Sequence, residues 1–201
     1  MVQWLNVPGL RIFSSVFFKQ RHLARPDIFC KTISDIDWRL LKEQHGIRAI
    51  VLDKDNTLTA PYVDHIYPSL EQSVENLFAV FPKESVAILS NSAGTPDDLD
   101  NKQADNVLAQ LGIPVIKHAE KKPEGFDEVL QHFDTVSDLQ PREIAMIGDR
   151  ILTDVVFGNL HGMLTIHVEP LTLVGDNMMA KIFRRFERLV FPFQERVSSN
   201  H

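Results

Sequence analysis

Short apolar runs alternate with amphipathic segments through the central part of the chain. Five runs rich in β-branched residues predict strands buried in a parallel sheet, at 47–52, 86–89, 115–116, 144–147 and 164–168. Apolar residues spaced by three and four predict helices at 70–81, 99–111, 126–133 and 151–156. Thr95 followed by Pro96 predicts a capped start for the second helix. Strands alternating with helices favour an α/β fold, with a doubly wound, mostly parallel sheet flanked by helices.

The composition is that of an ordinary globular domain, with 44% hydrophobic and 24% charged residues in a chain of 201. The single cysteine, Cys30, excludes an intramolecular disulfide and a four-cysteine zinc site. No apolar run approaches the roughly 20 residues that a membrane-spanning helix needs. The net charge of −6 argues against general binding to nucleic acid.

The two ends of the chain are basic, whereas its centre is acidic. Residues 1–25 carry a net charge of +4 and residues 178–201 carry +3, which leaves −13 on the rest. Near the C-terminus, apolar residues share one helical face, and the opposite face holds four cations: Lys181, Arg184, Arg185 and Arg188. This pattern is typical of a helix in a membrane interface, although a helix that packs on the core with a solvated basic side would show it too. We therefore expect amphipathic terminal segments at 1–45 and 176–201 that dock on an anionic membrane, with the core at 46–175.

Polar residues follow four of the apolar runs, at the edge where parallel sheets bind their ligands. They are Asp53-Lys54-Asp55-Asn56-Thr57, Ser90-Asn91-Ser92, Lys121-Lys122-Pro123, and Gly148-Asp149-Arg150 followed by Asp154. Each group taken alone is also common in turns, helix caps or exposed loops. Their occurrence in this order after successive strands indicates a single site.

This combination resembles the haloacid dehalogenase superfamily of phosphotransferases over residues 47–170. The matching motifs are Asp53-x-Asp55-x-Thr57, Ser90, Lys122, and Gly148-Asp149 with Asp154. The resemblance implies that Asp53 attacks phosphorus and forms an aspartyl phosphate. It also implies that Asp55 protonates the leaving group and later deprotonates the attacking water.

The substrate phosphate is expected to be bound by residues from three of these motifs. Thr57, Ser90, Asn91 and Lys122 are the candidates, with backbone N–H groups contributing near Asp55 and Asn91. Lys122 is also counted with Asp53 and Asp55 among the expected catalytic residues. Lys121 is the alternative to Lys122, which is the better match because a proline follows it directly.

The resemblance further implies a Mg²⁺ cofactor, which removes the repulsion between a carboxylate nucleophile and a phosphate dianion. Its expected ligands are Asp53, Asp55 and Asp149. Asp154 is expected to support the site by orienting a metal-bound water or Lys122.

No segment between these motifs is long enough to form the cap domain that many members of the superfamily carry. We expect the site to be open. An open site favours a substrate whose phosphate projects from something large, such as a protein, a nucleic acid or a membrane.

Within this superfamily, the chain is similar to the mitochondrial phosphatidylglycerophosphate phosphatases of fungi and plants and to small bacterial relatives. The matching stretches include 51–56, 89–94, 118–123 and 148–154, together with 6–9. The similarity implies removal of the terminal phosphate from phosphatidylglycerophosphate, the step before cardiolipin synthesis. It also implies a peripheral location on the matrix side of the inner mitochondrial membrane, and the basic, acid-free residues 1–25 would suit a targeting segment.

The expected partners are thus a phospholipid substrate and an anionic membrane surface, and not nucleic acid. Two other functions stay open at this point: a phosphatase of the same fold acting on a protein or a soluble phosphomonoester, and a non-catalytic membrane scaffold. Self-association is also left open by the sequence.

Overall fold

A computed structural model of the chain describes residues 20–122, 124–175 and 185, and contains one five-stranded sheet in which every strand pair is parallel. Its strands are β1 (Ile28–Cys30), β2 (Ala49–Leu52), β3 (Val86–Ile88), β4 (Ile144–Gly148) and β5 (Leu164–Val168). Their spatial order is β1-β5-β4-β2-β3. The α/β class and the parallel sheet predicted from the sequence are confirmed.

Helices cover both faces of this sheet. They are α1 (Trp38–Glu43), α2 (Glu71–Val80), α3 (Lys102–Leu111), α4 (Phe126–His132) and α5 (Val156–Leu160), and a turn of π-helix at Ile151–Val155 leads into α5. Successive residues of β2 enter different cores, because side chains alternate along a strand. Ile50 packs in a core formed with α1, α2 and α3, whereas Val51 packs in a core formed with α4 and α5.

Parts of the two terminal segments expected to dock on a membrane lie outside the described residues. This applies to residues 1–19 and to the predicted basic helix at the C-terminus, of which only Arg185 is described. Within the described ranges, no helix combines the length and the hydropathy needed to cross a bilayer.

The edge of the sheet differs from the sequence prediction in two places. Residues 115–116 form no strand, and Val115 makes only a single bridge to Ile88. Pro114 precedes this bridge and lacks the N–H group that a longer ladder would need. The fifth strand is instead β1, which pairs with β5 and lies in the range assigned to the N-terminal docking segment. Trp38 and Leu41, also from that range, are buried, so the folded core begins well before residue 46.

Helix α3 begins at Lys102, later than Thr95 and Pro96 predicted. The carboxylate of Asp98 accepts hydrogen bonds from the backbone N–H groups of Gly94, Gln103 and Ala104 at 2.8–3.0 Å. Asp98 therefore joins the first turn of α3 to the loop that follows β3. It accepts hydrogen bonds from N–H groups at the start of this helix, the role that the sequence predicted for Thr95.

Asp27 and Thr165 join the beginning of the described chain to β5. The backbone N–H of Asp27 donates to the carbonyl and the hydroxyl oxygen of Thr165 at 3.1 and 3.0 Å. In return, the Thr165 N–H and hydroxyl donate to Asp27 Oδ2 at 2.8 and 2.9 Å. This reciprocal set of bonds anchors the residue that immediately precedes β1.

Candidate active site

Strand β2 has β4 on one side and β3 on the other, and the predicted motifs lie at the ends of these three strands. Leu52 pairs with Ile147, and the Asp53 N–H donates to the Ile147 carbonyl at 2.8 Å. On the other side, the Leu89 N–H donates to the Leu52 carbonyl at 2.9 Å. The strand order reverses here, and such a switch point opens a crevice at the carboxyl edge of a parallel sheet.

The side chain of Lys122 lies between two carboxylates. Its Nζ donates to Asp53 Oδ1 at 2.7 Å and to Asp154 Oδ1 at 2.5 Å. The side chains of Lys122 and Asp154 are each 1% exposed, and that of Asp53 is 11% exposed. The neighbouring Lys121 instead pairs with Asp97 at the surface, at 2.7 Å. The geometry therefore brings Lys122, and not Lys121, to Asp53.

Burial and the ion pair between Asp53 and Lys122 act in opposite directions on the pKa values of these two residues. Burial raises the pKa of Asp53 above its ordinary value; Lys122 opposes that rise, and the nearby charge of Asp154 adds to it. Burial alone would lower the pKa of Lys122, but Asp154 and Asp53 raise it above its ordinary value. Lys122 is thus held as a cation facing the predicted nucleophile.

Three carboxylates converge at this edge of the sheet. Oxygen atoms of Asp53, Asp149 and Asp154 lie within 4.8 Å of one another, and all three residues are buried. One ammonium group cannot balance three carboxylates, and a hard divalent cation prefers oxygen ligands of this kind. The donor set therefore fits the predicted Mg²⁺. Asp55, also predicted as a ligand, does not contribute its carboxylate to this group.

The position of Asp154 is fixed by hydrogen bonds from two neighbouring residues of the same turn. Its Oδ2 accepts from the Arg150 N–H at 3.0 Å, and its Oδ1 accepts from the Thr153 hydroxyl at 3.2 Å. Asp154 lies in the π-helical turn Ile151–Val155, a feature that often marks functional sites. The turn directs its carboxylate back toward Lys122.

Asp55 is held by Lys54, a residue to which the sequence analysis gave no role. Lys54 Nζ donates to Asp55 Oδ1 at 2.8 Å, to the Val63 carbonyl at 2.9 Å and to Asp64 Oδ1 at 3.3 Å. The Tyr62 N–H also donates to Asp55 Oδ1, at 3.0 Å. Lys54 is buried and thereby links the predicted acid–base residue to the loop that follows it. In the sequence, the one sign of this role was that Lys54 stands between the motif aspartates Asp53 and Asp55.

The other predicted phosphate-binding residues, Ser90, Asn91 and Thr57, have different surroundings, and Asn91 alone is seen to contact Lys122 among the described residues. Ser90 Oγ lies 3.0 Å from Ser92 Oγ and accepts from the Ser92 N–H at 3.2 Å. The side-chain oxygen of Asn91 accepts from the Lys122 N–H at 3.0 Å, so Asn91 holds the backbone of the lysine. Thr57 is buried, and its hydroxyl has no hydrogen-bond partner among the described residues.

His118 is a second residue without a predicted role. It is buried, and both ring nitrogens lie against backbone carbonyls of the Ser90 and Lys122 loops. A histidine shortly before the predicted lysine was the only hint in the sequence.

Comparison with known proteins adds an independent finding. The family model described as mitochondrial PGP phosphatase matches residues 10–172. Phosphatidylglycerophosphate phosphatase 1 of Arabidopsis thaliana, a chloroplastic/mitochondrial protein, is 41% identical over 187 residues, or 92% of this chain and 52% of that protein. The chloroplastic phosphatidylglycerophosphate phosphatase 1 of Chlamydomonas reinhardtii is 40% identical over 92% of this chain and 67% of its own length.

A mitochondrial relative from yeast is similar over most of both chains. Phosphatidylglycerophosphatase GEP4 of Saccharomyces cerevisiae is 33% identical over 174 residues, which cover 85% of this chain and 89% of the yeast protein. The present chain therefore spans nearly all of the yeast relative but about half of the Arabidopsis one.

Proposed function

The chain belongs to the mitochondrial PGP phosphatase family, and we propose that it hydrolyses phosphatidylglycerophosphate to phosphatidylglycerol and phosphate. The observation that carries this proposal is the buried Lys122 ammonium held between Asp53 and Asp154, with Asp149 beside them. The identity to relatives named for this activity supports the choice of substrate. In this proposal the reaction is the step that precedes cardiolipin synthesis.

Asp53 is the nucleophile in the proposed mechanism. Its carboxylate oxygen attacks phosphorus, the bond from phosphorus to the lipid oxygen breaks, and an aspartyl phosphate forms. Asp55 gives a proton to the departing lipid oxygen and then removes one from the water that cleaves the aspartyl phosphate. Lys54 and the Tyr62 N–H both bind Asp55 Oδ1, which fixes the orientation of this carboxyl group.

Lys122 and Ser90 bind the phosphoryl oxygens in this scheme. The ammonium group of Lys122 offsets the negative charge that accumulates near Asp53. Asn91 holds the Lys122 backbone, so its contribution is to place the lysine. Thr57 adds a buried hydroxyl in the loop that follows Asp53.

Mg²⁺ would be held by Asp53 and Asp149, together with the backbone carbonyl of Asp55. Bound there, it would lower the repulsion between the Asp53 carboxylate and the substrate phosphate. Asp154 supports the site through Lys122, with which it forms an ion pair at 2.5 Å.

We place the protein on the matrix side of the inner mitochondrial membrane, attached peripherally through its basic ends. The support for this location is the charge of +4 on residues 1–25 and +3 on residues 178–201, together with relatives named as mitochondrial. The open site that the sequence predicts would suit a phosphate presented at a bilayer surface.

The experiment that tests the function compares substrates with and without Mg²⁺. Phosphate release would be measured from vesicles containing phosphatidylglycerophosphate, from glycerol 3-phosphate and from a phosphopeptide. We expect Mg²⁺-dependent release from the vesicles at a much higher kcat/KM than from either soluble substrate. Preference for the peptide or the small ester would favour the other phosphatase function, and no turnover on any substrate would favour a scaffold.

A further inference from the structure

Three large apolar side chains are exposed in two loops that follow the carboxyl ends of strands. Leu173 and Val174 lie in the segment after β5, and Tyr62 lies in the loop after β2. Val174 is 82% exposed, Tyr62 67% and Leu173 48%. The less exposed Leu40 and Leu108 lie singly on helices α1 and α3, as apolar residues often do at a protein surface. Exposed apolar residues that gather beside a functional site mark a contact surface.

Asn56, in the motif that follows β2, joins these two loops. The N–H groups of Leu171 and Thr172 donate to the backbone and side-chain oxygens of Asn56 at 3.3 and 3.0 Å. Gly175 lies against Pro61, since a Cβ atom added to Gly175 would lie 3.8 Å from the Pro61 Cβ. In the chain, Pro61 directly precedes one of the exposed residues and Gly175 directly follows another. The exposed side chains therefore belong to adjacent loops.

Tyr62 brings this apolar surface to the proposed acid–base residue. Its backbone N–H donates to Asp55 Oδ1 at 3.0 Å, while its side chain is exposed. Its φ of 61° is left-handed, a conformation that costs free energy for a residue with a Cβ atom. Backbone strain of this kind is concentrated at functional positions. The apolar surface thus begins at the rim of the site.

The charges around this surface suit an anionic lipid bilayer. Asp64 is the acidic residue of the loop 60–66, and Lys54 Nζ at 3.3 Å and Asn106 Nδ2 at 2.6 Å both donate to its carboxylate. Beyond Val174, with Asp176 as the one acid in between, the sequence carries four basic residues: Lys181, Arg184, Arg185 and Arg188. Basic residues close to exposed apolar ones are typical of surfaces that bind anionic membranes.

We propose that Tyr62, Leu173 and Val174 form a membrane-contact patch that enters the interface of an anionic bilayer beside the active site. The inference rests on the proposed function, because a lipid phosphate reaches Asp53 from the bilayer surface. Tyr is favoured at the boundary between headgroups and acyl chains, and the burial of Leu and Val adds to the electrostatic attraction of basic residues. The patch would hold the proposed catalytic groups close to the headgroups.

The first test measures whether position 174 enters the bilayer, and it needs no turnover. Cys30→Ala removes the one native thiol, and Val174→Cys in that background would carry a fluorophore that is sensitive to its surroundings. With vesicles of phosphatidylcholine and phosphatidylglycerol, we expect its emission to shift to shorter wavelength. We also expect nitroxides placed near the lipid headgroups to quench it. The same fluorophore at Leu40→Cys on α1 is the control and should show neither effect.

Three results of this measurement would overturn the proposal. They are an emission at position 174 that vesicles do not change, an equal change at position 40, and a blue-shifted emission at position 174 before vesicles are added. In the third case another part of the chain, or a second copy, would cover Val174. Insertion without turnover of any substrate would count against the proposed function and not against the patch. Hydrolysis of phosphatidylglycerophosphate in vesicles without insertion would overturn the patch alone.

The second test measures how much the patch contributes to membrane binding. Leu173→Gln combined with Val174→Gln should lower partitioning onto the same vesicles about 10- to 100-fold, because two aliphatic side chains lose their burial. The loss should persist at high salt, since salt screens the basic residues and leaves apolar burial in place. Leu40→Gln combined with Leu108→Gln is the matched control and should bind as the unmodified protein does. Equal partitioning of the two double variants would contradict the patch.

Discussion

Gly148 and Asp154 lie so close together that any side chain at Gly148 would overlap the Asp154 carboxylate. This carboxylate is the one that holds Lys122 against Asp53. The glycine that ends β4 is therefore required by the approach of an acidic side chain, and not by a left-handed backbone conformation.

Gly148→Ala should lower activity while the protein remains folded. The added methyl group would push the Asp154 carboxylate away from Lys122, and a displacement of about 1 Å in such a site can cost about 10²-fold in kcat. The measurement is kcat on lipid vesicles beside a melting curve. Gly112→Ala is the control. An alanine held in the left-handed backbone conformation of Gly112 costs about 1–2 kcal/mol of stability. The added methyl group would have no atom within 4 Å except those of its chain neighbours, so it would not touch the site. Equal kcat for the Gly148 variant and the unmodified protein would contradict this role.

Asp53→Asn should abolish turnover, because an amide does not supply the anionic oxygen that attacks phosphorus. Acid quenching after incubation with ³²P-labelled substrate should trap a phosphoenzyme in the unmodified protein and none in the variant. Asp127→Asn, an exposed position on α4, controls for the loss of one carboxylate and should behave as the unmodified protein does. Turnover retained in Asp53→Asn would rule out the covalent mechanism.

Asp55→Asn and Asp149→Asn should differ in their dependence on Mg²⁺. Asp55→Asn keeps the backbone carbonyl that is proposed to bind the metal, but it should lose about 10²–10⁴-fold in kcat as a general acid is removed. Asp149→Asn should weaken Mg²⁺ binding and recover part of its activity at high Mg²⁺. Activity measured over a Mg²⁺ titration separates the two roles, and identical titration curves would show that this division is wrong.

Asp98→Ala should destabilise the protein by about 1–3 kcal/mol, because three backbone N–H groups lose their partner. Burial alone would raise the pKa of Asp98, but the bonds from Gly94, Gln103 and Ala104 lower it below its ordinary value. A lowered pKa in the folded state means that the carboxylate stabilises the fold above the unfolded-state pKa of about 3.9. The free energy of unfolding of Asp98→Ala and of the unmodified protein would be measured in urea over a range of pH. The difference between the two proteins should be constant near neutral pH and should shrink as the pH falls below about 4. A difference that grew in acid would contradict the sign of the pKa shift.

The predicted basic helix at the C-terminus should matter for membrane binding and not for chemistry. Each basic residue near an anionic bilayer contributes about 1 kcal/mol, so a fourfold Gln variant should lose up to about three decades of partitioning. The changed residues are Lys181, Arg184, Arg185 and Arg188. We expect lower activity on anionic vesicles, at an unchanged rate on a soluble phosphomonoester.

The control for this variant removes four positive charges from elsewhere on the protein surface. The changed residues are the exposed lysines Lys42, Lys83, Lys102 and Lys117, each replaced by Gln. It should keep more vesicle activity than the helix variant. Equal loss by the helix variant on vesicles and on the soluble ester would indicate that the helix packs on the core.

The sequence was sufficient to predict the α/β class and four of the five strands, because buried strands such as β2 and β4 are continuous apolar runs. It did not reveal β1, whose three half-buried residues give no such run. It also suggested a strand at 115–116, where two apolar residues after a proline make only one bridge. Short elements at the sheet edge depend on their neighbours more than on their own pattern.

For a similar reason, the sequence predicted some residues of the site and missed others. The motif aspartates and Lys122 could be located, since they follow predicted strands, and the structure brings Asp53, Asp149, Asp154 and Lys122 together. Lys54 and His118 could not be assigned roles, because their partners include backbone carbonyls of distant residues that no spacing rule identifies. The role of Asp98 likewise depends on how the loop after β3 turns back on α3.

The bonds between Asp27 and Thr165 join residues 138 positions apart, and this separation constrains the order in which the fold assembles. Strands β2, β3 and β4 can pair with one another before β5 exists, but β1 has its only described strand partner in β5. Closing a loop of this length costs about 4 kcal/mol in chain entropy beyond a constant contribution. Of the described strands, β1 leaves the ribosome first, but it cannot pair until β5, the last of them, has been synthesised.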